Sequence, residues 1–144
     1  MDSSLRDLFS QTLNLSPREK VDIARRALQE INQYLKKLEL TDEQVTLFVV
    51  NITKLFVSVD NRKEDDEYYF FSAVLEADIS QEYFNKMVEG GDDPKFVNDT
   101  IAAVKTFDPD ARLAVLSYGM MIMACDDYVH FKETDIVKRL MRIL

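Results

Sequence analysis

Apolar residues recur along this chain at intervals of three and four, the spacing that gathers them on one side of an α-helix. Val21, Ala24, Leu28, Ile31 and Leu35 form one such stripe over about 17–38. Phe96, Ala102 and Val104 mark the apolar side of a helix over about 94–106. Two stretches lack a clear polar side. Val45 to Val59 is nearly all apolar and rich in β-branched residues, which alone would suit a buried strand. Its length and its freedom from internal turn residues favour a buried helix. Leu113 to Cys125 is the most apolar stretch and, with Ser117, Tyr118 and Gly119 inside it, also reads as a buried helix. It is too short to span a membrane.

Polar residues mark where these helices begin. Ser16-Pro17-Arg18-Glu19 combines an N-cap hydroxyl, proline at the first helical position and glutamate at the third. In this capping box the side chains of Ser16 and Glu19 each satisfy the other residue's backbone N–H. Thr41-Asp42-Glu43-Gln44 repeats the device, Asp93-Pro94 and Asp108-Pro109 are cap-plus-proline starts, and Ser80-Gln81-Glu82 is a weaker one. These signals predict seven main helices, at about 17–38, 42–59, 64–77, 80–90, 94–106, 109–125 and 131–143. A further short helix is expected within 1–15, around Leu5, Leu8, Phe9, Leu13 and Leu15. With no long linker and no compositional break, the expectation is one all-α domain over 1–144, a single-domain helical bundle.

A shift of 66 residues superposes two parts of the pattern. Leu47, Val49 and Val50 fall on Leu113, Val115 and Leu116, and Leu55, Phe56 and Val57 on Met121, Ile122 and Met123. Asp60 falls on Asp126 and Glu67 on Glu133; Phe70, Phe71, Val74 and Leu75 fall on Ile136, Val137, Leu140 and Met141. Each unit, about 47–75 and 113–141, reads as a buried helix, an Asp at its end, a short connection, a Glu opening the next helix, then an amphipathic helix. Two such hairpins about a pseudo-two-fold axis would supply the core.

On these residues the chain resembles the TerB-like, tellurite-resistance family of all-helical domains, over about 42–144. That family carries two copies of an apolar helix, Asp-Gly, an apolar residue, then Glu seven positions after the Asp. Asp60 to Glu67 and Asp126 to Glu133 both keep the spacing. Val129 keeps the apolar position in the second copy, Lys63 replaces it in the first, and Asn61 and Asp127 stand where the glycines would be. Asn and Asp tolerate left-handed backbone better than other non-glycine residues. The resemblance implies a non-enzymatic domain with a role in stress (tellurite) response or metal binding. It points to Asp60, Glu67, Asp126 and Glu133 as the ligand set, with Glu64 and Asp127 secondary. Converging carboxylates bind hard cations through oxygen, so the expected ligand is a divalent cation: calcium, magnesium, manganese or zinc. The same residues also have structural uses. A first-turn Glu complements the helix dipole, and an Asp bonds turn backbone. An EF-hand is excluded, since Phe71 and Val137 stand at the twelfth position where a Glu is needed.

Charge adds the second clue. The net charge of -8 lies in the middle of the chain. Residues 60–99 hold twelve acids against Arg62, Lys63, Lys86 and Lys95, while the flanking parts are balanced. Such a region repels phosphates and anionic membranes and attracts cations or basic proteins. Nucleic-acid binding is therefore not expected, and no basic stripe supports it. The start of the chain has no signal-peptide pattern, so the expected location is cytoplasmic.

Enzyme chemistry finds little support. Cys125 and His130 are the only residues of their types and could pair, but a cysteine ending an apolar helix packs as a small hydrophobe. A lone cysteine also excludes a disulfide framework. Gly90-Gly91 lacks the lysine of a phosphate loop. Tyr68, Tyr69, Phe70 and Phe71 cannot all face one core; Phe70 and Phe71 hold core positions, leaving the tyrosines partly exposed beside the acidic run. Besides the cation-binding reading, two alternatives stand: a metal-independent interaction module whose acidic middle binds a basic partner, and a hydrolase-like enzyme using the same carboxylates.

Overall fold

The computed structural model describes residue 7 and residues 10–57, 65–91, 93–125 and 131–143, with the side chains of 65–67 and 131–135 outside that description. Among the described residues seven main helices follow one another: α1 (Pro17–Lys37), α2 (Asp42–Phe56), α3 (Asp65–Leu75), α4 (Gln81–Met87), α5 (Pro94–Lys105), α6 (Pro109–Met123) and α7 (Phe131–Met141). Residues 10–13 form a short helical piece before them. Among the described residues there is no strand. No described helix is long and apolar enough to cross a membrane. The chain is an all-α bundle.

The caps form mostly as their residues dictate. Ser16 and Glu19 bond reciprocally at 3.1 and 3.0 Å, and Thr41 and Gln44 at 3.2 and 2.9 Å. The Ser16 backbone N–H and hydroxyl hold the Glu19 carboxyl below its ordinary value. Asp108 accepts from the Ala111 N–H at 2.8 Å, and Ser80 from Tyr83 at 3.1 Å. Asp93 holds the N-cap position of α5 but makes no side-chain cap bond. Proline at the next position lacks an N–H and already fixes the entry angle. Helix α2 stops earlier than its apolar run, because Val57 turns extended at φ -77° and ψ 126°.

The core is organised around α6. Ala111, Ala114, Val115, Leu116, Tyr118, Gly119, Met120, Met121, Ile122 and Met123 are all buried, so nearly every side of this helix is covered. Its broadest partner is α1, which offers Ala24, Ala27, Leu28, Ile31 and Leu35. The small Ala24 and Ala27 let the two helices approach closely. Helix α2 packs on another side of α6. There Phe56 lies over Gly119, and a Cβ at Gly119 would fall 2.2 Å from two of its ring atoms. Next to it, the Tyr118 and Thr53 hydroxyls meet at 2.7 Å in the interior. Thr53 gives its proton to the Val49 carbonyl at 2.8 Å, so Tyr118 is the donor between them.

Burial at positions 66 residues apart agrees only in part. Helices α2 and α6 have 15 residues each, and α3 and α7 have 11 each. Leu55 and Met121, Phe56 and Ile122, Phe71 and Val137, and Val74 and Leu140 are buried in pairs. Leu47 and Leu113 are both exposed, at 60% and 53%, and Leu75 and Met141 are both 37% exposed. Other positions differ: Val49 and Val50 are half-buried where Val115 and Leu116 are buried, and Phe70 is buried where Ile136 is half-buried. The two units are not equal partners in the core. Helix α1, outside both units, takes the largest share of α6, so the core is centred on an α1–α6 pair.

Gly119→Ala is a direct check of the close approach. Alanine should favour an isolated helix by about 1 kcal/mol, but overlap with the Phe56 ring should cost about 1–3 kcal/mol. The expected result is a lower urea midpoint, with the loss shrinking in a Phe56→Leu background. A neutral or stabilising Gly119→Ala would contradict the packing of α2 on α6.

Candidate functional site

The acidic positions singled out in the sequence lie mostly outside the described residues. Asp60, Glu64, Asp126 and Asp127 lie outside the described residues, as does His130. Glu67 and Glu133 each occupy the third position of their helices, α3 and α7, with side chains outside the description. Among the described residues no three His, Cys, Asp or Glu side chains cluster as a metal would require. Cys125 is half-buried in the turn that closes α6.

What the structure does place at the end of α6 is a buried cation. Lys20, only 2% exposed, donates from its Nζ to the Ala124 carbonyl at 2.7 Å. That carbonyl is at the C-cap of α6, where the helix dipole favours positive charge. Ala124 precedes Asp126 by two residues. Sequence reading missed Lys20 because a lysine on an amphipathic helix ordinarily reaches water. The hint was its register: Lys20, Ala24, Ala27 and Ile31 share one face.

Helix α1 sends a second cation to the end of α3. Arg25 donates to the Ala73 carbonyl at 2.6 Å and the Val74 carbonyl at 3.2 Å, and meets the Glu76 carboxylate at 3.1 Å. The Ala73 carbonyl also accepts the Glu76 N–H at 3.2 Å in the closing turn, and the guanidinium fork suits the carbonyls left at a helix end. Glu76 itself is left-handed at φ 53°, while the Ala77 N–H closes back on Ser72. The pattern is a helix-ending motif that usually takes glycine, here with its non-glycine residue held from outside by Arg25. Tyr68 then donates to the Ile79 carbonyl and stacks on Phe84 at a centroid distance of 5.7 Å. The turn after α3 is thus held from both sides. Tyr68 is half-buried by this work, and Tyr69 beside it is 65% exposed.

These anchors frame an open, mostly apolar groove of about 610 Å³ between α1, α2, α3 and α4. Leu28, Asn32 and Lys36 line it from α1; Asp42, Val45, Thr46, Val49 and Val50 from α2. The opposite wall is Phe71, Leu75, Ile79, Tyr83 and Met87. That wall belongs to the acidic middle of the chain. Asp78 and Glu82, adjacent in sequence to the lining residues Ile79 and Tyr83, are exposed, and Asp42 lines the groove from the other side. No motif announced this groove, because its residues come from four helices spread over 28–87.

Geometry also accounts for the Gly90-Gly91 pair and for Tyr118. Gly90-Gly91 forms the turn after α4: Gly90 is left-handed at φ 78°, and a Cβ on Gly91 would stand 2.5 Å from the Lys54 carbonyl. Left-handed backbone explains Gly90, and close packing explains Gly91. Burial pushes the Tyr118 hydroxyl well above the ordinary tyrosine range, so it stays protonated in the closed core. Compared with known proteins, the chain matches no protein-family model, no curated protein and no solved structure.

Proposed function

We propose that this chain is a non-enzymatic protein-interaction domain whose groove between α1, α2, α3 and α4 receives an apolar, basic-flanked segment of a partner protein. The observation that carries the reading is the groove itself. Leu75 and Tyr83 stand exposed on its wall, and exposed apolar surface that is continuous with a concave site marks binding surfaces. Charge gives the partner its chemistry. Asp42, Asp78 and Glu82 bias the surroundings of the groove toward basic residues, in line with the concentration of the net charge of -8 in residues 60–99. The test is selection from a random-peptide display library. Apolar peptides with positive charge should be enriched on the wild-type chain and lost on Leu75→Asp and Tyr83→Asp variants of unchanged helicity. Peptides retained equally by both variants would contradict the groove as the binding site.

A second reading, a TerB-like domain with a divalent-cation site, draws on one observation: Glu67 and Glu133 hold the same position in helices of equal length. Calorimetric titration of the metal-free chain with calcium, magnesium, manganese and zinc decides it. The groove reading expects no saturable heat that an Asp60→Asn/Asp126→Asn double variant abolishes; such a heat would establish the cation site.

A further inference from the structure

We infer that the segment seated in the groove is an amphipathic α-helix of about two to three turns, with Lys or Arg on the flank facing Asp78 and Glu82. The inference rests on the interaction reading above and names the form of its partner.

The first argument is backbone satisfaction. A chain entering an apolar groove must place its N–H and C=O groups, because a buried unpaired group costs about as much as a lost hydrogen bond. The walls are helices, and among the described residues no strand edge is present to pair with an extended peptide. The polar side chains of the lining, Asn32, Lys36, Asp42, Thr46 and Tyr83, are too few to pair every backbone group of an extended chain. A helix brings its own hydrogen bonds and asks nothing of the walls.

Length is the second argument. Leu28, Asn32 and Lys36 follow one another at helical steps of four along α1. At a rise of about 1.5 Å per residue they make a wall about 12 Å long. A partner helix with apolar residues at i, i+4 and i+7 presents anchors over a similar length, the usual form of helix-in-groove recognition.

Charge is the third. The groups beside the groove are not all available. Arg25 already holds Glu76 at 3.1 Å. Lys86 meets Glu82 at 3.7 Å, but both are largely exposed, so that pair is weak and exchangeable. The exposed Asp78 and Glu82, next in sequence to the lining residues Ile79 and Tyr83, and Asp42 on the opposite lining remain to face a partner, opposed on the lining by Lys36. The balance favours basic flanks on the side of α4.

The test is fluorescence anisotropy with the full chain and three labelled peptides. One is an amphipathic helix with Leu at i, i+4 and i+7 and Lys/Arg flanks. The second is the same sequence with a central proline, and the third has Glu flanks. The basic helix should bind at least about tenfold tighter than either control, and should weaken with added salt. An Asp78→Lys/Glu82→Lys variant, changed only at exposed positions, should narrow the preference for basic over Glu flanks. Equal binding of the proline peptide would overturn the helical form, and equal binding of the Glu-flanked peptide would overturn the charge assignment. Either result would leave the interaction reading standing if display-selected peptides still bind the groove. If neither these nor any selected peptide binds, both fail.

Discussion

Helix α6 has no polar face to offer to water, and the arrangement of the other helices follows from covering it. Leaving a side chain such as Leu116 or Ile122 in water forfeits about 1.5–3 kcal/mol, and both are buried, as is nearly every neighbour along this helix. One neighbour cannot cover a whole cylinder. Helix α1 covers the broadest part with a stripe of small and branched residues, and α2, α3, α5 and α7 take the rest. Two local solutions make this possible. Gly119 removes a side chain where the Phe56 ring must sit. The Tyr118 hydroxyl, which would be costly to bury alone, finds Thr53 at 2.7 Å.

Helix α1 carries the link from core to site. It uses two cations on carbonyls at helix ends: Lys20 on Ala124 after α6, and Arg25 on Ala73 and Val74 at the end of α3. Hydrogen bonds from charged donors are stronger than neutral ones, and both join segments distant in sequence. The Arg25 anchor also shapes the groove. It fixes the end of α3 and the turn after it, where Leu75 and Ile79 form part of the groove wall. The groove is therefore set on a held frame, with Leu28 of the same α1 as its other side. Preorganised walls lower the ordering cost of binding.

Helix positions were legible in the sequence because caps and periodicity act locally. Ser16-Pro17, Thr41 and Asp108 each start a helix with the bond their side chains allow. The nearly uninterrupted apolar run over 113–125 already announced a surrounded helix. Apolar spacing told less about exposure: Val49 and Val50 are half-buried, while Val115 and Leu116, aligned with them in the sequence pattern, are buried. What escaped was every feature made by distant pairing. Nothing local says that Lys20 will be buried or that Arg25 will end a helix 48 residues away. The groove escaped for the same reason, since Leu28, Val49 and Tyr83 become neighbours only in the folded chain. The acidic pairs drew attention because their spacing is visible in one dimension. The groove wall next to Asp78 and Glu82 became visible only in three.

The central claim is that the acidic middle of this chain serves a groove rather than a pair of acidic turns. The most direct measurement is an amide and methyl chemical-shift map of the isotope-labelled chain titrated with a basic amphipathic helix. The account predicts the largest changes at Val45, Val49, Leu75 and Ile79, residues that line the groove, with the interior of α6 unmoved. Changes concentrated instead at 60–67 and 126–133, with the groove residues silent, would contradict it.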